Sequence, residues 1–280
     1  MARESSFNKK SRTVLLVVLG LFSVGQLFPL VWLIDFSLCK SGDVYGANIL
    51  KIPSPPQFIN YFVAWRDGKI PQYFINSVIV NVASVLLVVL FSLMMGYAFV
   101  RMEWKWSNKV LTYVLLGLMI PIHATLLPNF VIFRQLNILD SYFALIIPYV
   151  AFSLPQAVFL MTGFIGSIPR ALEESAIIDG CGIFRILFQI ILPLSKPALV
   201  TVTVTTFLNT WNEFIMAATY LTSDKFRTLP FSVYNFAGQY ASNYAVQFAV
   251  MTIVALPSLI VYIALNEQVT KGVTLGAVKG

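Results

Sequence analysis

The sequence predicts an all-α integral membrane protein: six transmembrane helices, both termini cytoplasmic, and a cytoplasmic helical hairpin between spans four and five. Three observations predict it. Of 280 residues, 58% are hydrophobic and only 11% charged, where a water-soluble domain carries about one quarter charged residues on its surface. The apolar residues gather in six runs, each long enough to cross a bilayer core, which takes about 20 residues of helix. Lysine and arginine are divided unevenly between the two sets of connecting loops.

The elements follow in chain order. Residues 1–12 carry Arg3, Lys9, Lys10 and Arg12. The run that follows, 13–36, is too long for a signal-peptide core and lacks a small-residue cleavage pattern, so it reads as a retained first span. Residues 40–72 contain Pro53, Pro55 and Pro56 and read as an irregular outer loop with short interfacial elements. The remaining spans are 73–100, 110–133, 142–164, 197–221 and 244–265. Pro121 and Pro128, Pro148 and Pro155, and Pro257 fall inside spans three, four and six, where neighbouring helices can satisfy the carbonyls a proline frees. The domain plan is a cytoplasmic N-terminus 1–12, a transmembrane domain 13–267 that includes the loop 165–196, and a cytoplasmic tail 268–280.

Orientation follows from the cations. The N-terminus, 101–109, 165–196 and the tail hold twelve Lys or Arg, the opposite loops seven. The richer set is the cytoplasmic one. The net charge of +7 flanks apolar runs and forms no basic stripe interleaved with aromatics, so no nucleic acid is expected. Trp104 and Trp106, between charges, suit an interfacial belt, and Asp35 and Cys39 mark the outer boundary of span one. This topology separates Cys39 from Cys181 across the membrane, so the two should not pair. One histidine and two separated cysteines leave no His/Cys metal set, and His123, beside Pro121, is expected to be packed or interfacial.

The loop 165–196 is readable on its own physics. Ser167 can cap a helix and Pro169 suits its first turn. Glu173 and Glu174 lie early in that helix, where its dipole favours anions. Gly180 follows the helix end, where glycine enters the left-handed conformation at little cost. A second helix begins near Ile183 and stops at Pro193. In it Phe184, Leu187, Phe188 and Ile191 fall at i, i+3, i+4 and i+7, one apolar face, with Arg185 and Gln189 opposite. Such a ridge must bury itself against its own bundle, the membrane surface or another protein.

Glu174-Ser175-Ala176, Asp179-Gly180-Cys181 and Ile190-Ile191-Leu192-Pro193 together resemble the E-A-A, D-G-A and I-x-L-P signature of binding-protein-dependent ABC importer permeases, at matching spacing. Ser175 and Cys181 stand where that pattern has alanine, and both are small. Asn76-Ser77, Tyr97-Ala98 with Arg101, Trp211–Phe214 and the ending "KGVTLGAVKG" are similar to the carbohydrate-uptake group and its MalG-like subunits. The resemblance implies a permease in a bacterial or archaeal cytoplasmic membrane, forming half of a pathway for a sugar or oligosaccharide. Its implied partners are a second, homologous permease, two ATP-binding subunits and an external solute-binding protein. It also implies that the hairpin docks in a groove on the ATPase, through Glu174, Ala176, Asp179, Gly180, Phe184, Leu187, Phe188, Ile190, Leu192 and Pro193. The tail residues Gly276, Ala277, Val278, Lys279 and Gly280 would add a second ATPase contact. The sequence contains no G-x-x-x-x-G-K-[ST], so ATP and magnesium belong to the partner subunits and the chain needs no cofactor of its own.

Span five contains "TFLNTWNEFIMAATY". Asn209 and Glu213 are four apart and share a face with Thr206; Asn212 and Met216 lie close by. A carboxylate at that depth faces a cavity or a partner. The set is either a pathway that hydrogen-bonds sugar hydroxyls, or polar glue or a gate contact between helices. An ion-coupled secondary transporter is the alternative function, with Glu213 as its one credible midplane charge. An intramembrane enzyme would need a nucleophile, acid–base group or metal set, and no such set can be assembled here.

Overall fold

A computed structural model describes the backbone of residues 9–45, 53–237 and 243–277, and the side chains of 12–43, 53–237 and 243–266. The described residues are helical or irregular, without strand. In order, the helices are α1 (Lys9–Ser37), α2 (Ile59–Asp67), α3 (Ile70–Arg101), α4 (Ser107–Leu116), α5 (Leu126–Gln135), α6 (Phe143–Ser167), α7 (Ala171–Ile178), α8 (Ile183–Ile186), the single turn α9 (Leu192–Leu194), α10 (Lys196–Trp211), α11 (Ile215–Tyr220) and α12 (Tyr244–Ala277). They form two compact units, one of residues 1–70 and 232–253, the other of 71–231 and 254–280.

In the first unit α1 exposes apolar side chains all round, among them Leu21, Phe22 and Val24, and no residue of its most apolar stretch is buried. A helix of that kind needs a hydrocarbon surround. Its C-terminal end is fixed by chemistry. Trp32 and Phe36 pack with Phe248 at ring separations of 4.8, 5.1 and 5.4 Å. The Asn60 amide donates to the carbonyls of Ser37 and Cys39, both at 2.9 Å, and the Tyr61 and Ser37 hydroxyls meet at 2.7 Å. Among its described residues the expected outer loop contains a short 3-10 helix at Ser41–Tyr45 and the helix α2, which turns Asn60 and Ala64 inward and Phe62 and Trp65 outward.

The second unit is built on α3 and α6. Their approach is set by Gly96, where a Cβ would stand 2.9 Å from the Met161 Cβ; small residues are what let membrane helices come this close. One cluster joins Val88, Leu93, Met161, Ile165, Ile186, Leu187, Ile191 and Val202. A second joins Val80, Phe133, Leu145, Tyr149, Met216 and Tyr220. Asn76 donates to the carbonyls of Lys225 (2.9 Å) and Arg227 (2.8 Å), and the Ser77 hydroxyl accepts from the Leu229 amide at 2.8 Å. The start of α3 thus holds the segment after α11. Asp140 closes the same end by accepting from the amides of Thr222 and Ser223 at 3.0 and 2.9 Å.

Among the described residues, four helices are long and apolar enough to cross a membrane: 12–37 of α1, α3, α6 and 244–266 of α12. Two of the expected spans differ from plain helices. The third is broken at Pro121, where Ser107–Met119 and Ile122–Gln135 meet at 94°. Neither arm, at about 1.5 Å per residue, reaches across about 30 Å of hydrocarbon. The fifth is shorter than expected: α10 has 16 residues, about 24 Å, and the chain breaks at Asn212–Phe214 before α11. The cause is local. Glu213 turns its carboxylate onto the amides of Met216 (2.7 Å) and Ala217 (3.3 Å), so a side chain caps a new helix where the backbone of α10 would have continued. Pro148 and Pro155, by contrast, sit inside an uninterrupted α6.

Candidate functional sites: the hairpin and the cavity

The hairpin of residues 168–194 begins differently from its sequence expectation. Ser167 is the last residue of α6, its hydroxyl donating to the Phe164 carbonyl at 2.7 Å, and caps nothing. Ile168 is extended (φ −74°, ψ 130°), as a residue before proline is pushed to be. The next helix, α7, starts only at Ala171 and has no side-chain cap.

The end of α7 explains the Asp179-Gly180-Cys181 triplet. The Gly180 amide donates to Ile177 O and the Cys181 amide to Ala176 O, both at 2.9 Å, which is the two-bond pattern of a Schellman cap. Gly180 has φ +78°, and a Cβ there would touch nothing within 4 Å. Glycine is needed for its backbone angle and not for space. Ala176 is buried, and Cys181 packs into the same core cluster, the apolar contact that accompanies such caps. Neither Cys181 nor Cys39 forms a disulfide.

The second helix runs from Ile183 to Leu194 with a widened π segment at Leu187–Ile191. Pro193 supplies the reason: it has no N–H for the carbonyl four residues back, and its ring crowds that carbonyl. The expected ridge is divided. Ile186, Leu187 and Ile191 are buried in the bundle, and Ile190 and Leu192 pack against them. Phe184 (70% exposed) and Phe188 (40%) point away, and Ile177, Ile178 and Ile183 are exposed as well. At 100° per residue the buried stripe centres on Ile186 and Leu187, which leaves Phe184 and Phe188 on its flank. Leu187 therefore serves the core, and the outward apolar surface is Ile177, Ile178, Ile183, Phe184 and Phe188. Glu174 and Asp179 are exposed on α7 and at its end, and Pro193 is exposed on the second helix. Arg185 and Gln189 lie outward as expected, joined at 3.0 Å.

Sequence reading missed one feature of the hairpin. Glu173, valued only for its place near a helix start, is buried and faces Arg101 at the end of α3, with 2.6 Å between Nε and Oε1. That contact lies off the hydrogen-bond axis. Arg101 also donates through Nη2 to the carbonyls of Ile165 (2.9 Å) and Ile168 (2.6 Å), and the Tyr97 hydroxyl donates to Glu173 Oε2 at 3.1 Å.

A cavity of about 300 Å³ lies between the broken third span, α6 and α10–α11. Asn209, Glu213 and Met216 line it, with Tyr149, Phe152, Ser153, Gln156, Thr210, Ile122 and His123. Asn212 does not: its amide donates to Leu208 O at 2.8 Å and its oxygen meets the Ser258 hydroxyl at 3.2 Å. His123 is exposed on the cavity wall and is not packed in a core. Glu213 is fully engaged, since Tyr149 donates to it at 2.7 Å in addition to the two helix amides. Ser153, Gln156 and Asn209 have no side-chain hydrogen bond among the described residues, and with the rings of Tyr149 and Phe152 they form a wall of hydroxyl and amide groups beside aromatic faces. No cluster of metal-ligating side chains occurs among the described residues. Of the tail residues, Gly276 and Ala277 end α12 in backbone only, and Val278, Lys279 and Gly280 lie outside the described residues.

Membrane-length apolar helices, two broken ones around a polar-walled cavity and an apolar hairpin offered at one end define a multi-pass membrane permease. The chain belongs to the family described as binding-protein-dependent transport system inner membrane component, which residues 88–274 match; that family is a transport component and not an enzyme class. The chain is 32% identical over 264 residues to the sulfoquinovosyl glycerol transport system permease protein SmoH of Agrobacterium fabrum, covering 94% of this chain and 93% of that one. It is 31% identical over 283 residues to the arabinooligosaccharides transport system permease protein AraQ of Bacillus subtilis, with both chains covered in full. Its fold matches a chain in the crystal structure of a bacterial ABC transporter involved in the import of the acidic polysaccharide alginate, at a TM-score of 0.80 and 23% identity, covering 93% of this chain and 98% of the other.

Proposed function

We propose that this chain forms half of the translocation pathway of an ATP-driven importer of a sugar or oligosaccharide, in a bacterial or archaeal cytoplasmic membrane. It crosses six times, counting each broken pair as one span, with both termini inside. Its partners are a second, homologous permease, two ATP-binding subunits and an external solute-binding protein. The observation that carries the reading is the hairpin surface. Five large apolar side chains are exposed on the two sides of a turn closed at Gly180, on a segment too short and irregular to span a membrane itself. Contiguous apolar patches of this kind mark docking sites, and a helix pair offering them suits a groove on a partner. Glu174 and Asp179 sit beside that surface as polar contacts, and the tail from Gly276 to Gly280 adds a second.

Family membership and relatives named for glycoside and oligosaccharide transport support the substrate class. The cavity supports it as well, because hydroxyl and amide groups alongside aromatic faces suit a solute that is polar on its edges and less so on its faces. Glu213 is occupied as a helix cap and as the acceptor of Tyr149, an arrangement that favours a structural role over ion coupling. The test is uptake of a carbohydrate panel into proteoliposomes holding the full assembly. The expected result is uptake that needs ATP and the binding protein and is indifferent to an imposed ion gradient. Uptake driven by the gradient without ATP would overturn the reading.

A further inference from the structure

Glu173 and Arg101 are a buried ion pair with no part in the docking surface, where the end of α3 meets α7 and the end of α6. The Arg101 side chain is 7% exposed and that of Glu173 10%. Arg101 does three things there. It faces the Glu173 carboxylate, and through Nη2 it supplies donors to Ile165 O and Ile168 O, carbonyls at and just past the end of α6, of which Ile165 O also accepts from the Ile168 amide. A cation at a helix C-terminus is favoured by the dipole as well. Tyr97, one turn earlier on α3, holds the second carboxylate oxygen. If α7 moved away from α3, Glu173 would leave behind both the Arg101 guanidinium and the Tyr97 hydroxyl, and burying a charge without its partner is far more costly than burying the pair.

The same helix grips the pathway further along. Asn81 donates to Phe207 O at 3.2 Å and to the Thr210 hydroxyl at 2.8 Å, and Thr210 lines the cavity. Beyond it, Asn76 and Ser77 hold the segment at 225–229. One continuous helix of 32 residues therefore joins the hairpin to the cavity wall and to the opposite end of the unit.

We propose that Arg101, Glu173 and Tyr97 are positioning residues that make α3 move with the hairpin, so that displacement of α7 by the ATP-binding subunits is delivered through α3 to the cavity. This rests on the docking reading of the hairpin, and the test separates the two. The full assembly in proteoliposomes is compared with Glu173→Gln, Tyr97→Phe, Arg101→Lys and, for docking, Phe184→Ala. Three quantities are read: ATPase association, ATP hydrolysed, and solute moved per ATP. Glu173→Gln and Arg101→Lys should keep association and hydrolysis while solute moved per ATP falls at least about threefold, within the range for single residues that modulate coupling. Tyr97→Phe, which removes one hydrogen bond and little volume, should give a smaller fall in the same ratio. A residue that only stabilised the fold would lower association, hydrolysis and transport together. An unchanged ratio in Glu173→Gln, or a proportional loss of all three quantities in both Glu173→Gln and Tyr97→Phe, overturns the proposal. Association and transport unaffected by Phe184→Ala would instead remove the docking reading on which it rests.

Discussion

Gly180 allows a prediction in which backbone angle and side-chain volume can be told apart. Its φ of +78° lies in the left-handed region, and an added Cβ would meet no atom within 4 Å. Any penalty for substitution is therefore conformational. An L residue held there costs about 1–2 kcal/mol, and asparagine less, because it visits this region readily. The alternative, opening the turn, gives up the two cap hydrogen bonds of Gly180 and Cys181, each contributing about 0.5–1.5 kcal/mol net. The two routes cost similar amounts, so the loss has a ceiling of about 1–2 kcal/mol, or about 5- to 30-fold in the population of the closed hairpin. If the closed hairpin is what the ATP-binding subunit recognises, apparent affinity falls by up to that factor. The assay is titration of the ATP-binding subunits against the permease pair in nanodiscs. The expected order of weakening is Gly180→Asn, then Gly180→Ala, then Gly180→Val, since β-branched residues tolerate positive φ least. Gly182→Ser is the control. Gly182 has an ordinary φ of −77° at the start of α8 and open space around it, and serine is a good helix cap, so affinity should hold. Asparagine as damaging as valine, or Gly182→Ser as damaging as Gly180→Ala, would refute the backbone argument.

Further outcomes follow from the packing. Leu187→Ala removes a core side chain and should lower unfolding stability in detergent by about 2–5 kcal/mol, while Phe184→Ala should leave stability within about 0.5 kcal/mol and weaken ATPase binding by roughly tenfold. Gly96→Ala, whose Cβ would stand 2.9 Å from Met161, should be destabilising; Gly163→Ala on α6, with nothing within 4 Å, should be neutral or mildly stabilising, and thermal unfolding of the two variants checks this. Burial alone would raise the Asp140 carboxyl, but hydrogen bonds from Ser223 and Thr222 and the charge of Arg227 outweigh it and hold the carboxyl below its ordinary value. Its contribution should therefore be complete above the ordinary carboxylate range near 4 and lost as pH falls below it through the folded value. Hydrogen exchange at the Thr222 and Ser223 amides should quicken over that window and be insensitive to it in Asp140→Asn.

The apolar runs made α1, α3, α6 and α12 legible, because length and hydropathy are enough to call a straight span. The turn at Gly180 was legible for the same kind of reason: a left-handed cap leaves a local trace. The two breaks were not. Pro121 breaks its span while Pro148 and Pro155 leave α6 intact, so the outcome depends on what each helix packs against rather than on the proline. Glu213 looked like a midplane charge and is a cap, a role that depends on the chain turning at Asn212. The division of the hairpin ridge could not be read from spacing alone, since Phe184 and Leu187 share an apolar arc and only the bundle decides which part faces in. The ion pair of Arg101 and Glu173 spans two elements far apart in the chain, and no periodicity links them. Tyr97 and Arg101 entered only by resemblance, without a reason for either.

The central claim is that a separate ATP-hydrolysing subunit drives these helices through the hairpin. Site-specific crosslinking tests it most directly, with Phe184→Cys in a background of Cys39→Ser and Cys181→Ala, in the assembled complex, with and without ATP. The account predicts a crosslink to the ATP-binding subunit that forms at Phe184→Cys and not at a lipid-facing control such as Leu21→Cys, and that ties the permease to the motor through the catalytic cycle. ATP-driven uptake in an assembly where position 184 never meets the ATP-binding subunit would contradict it.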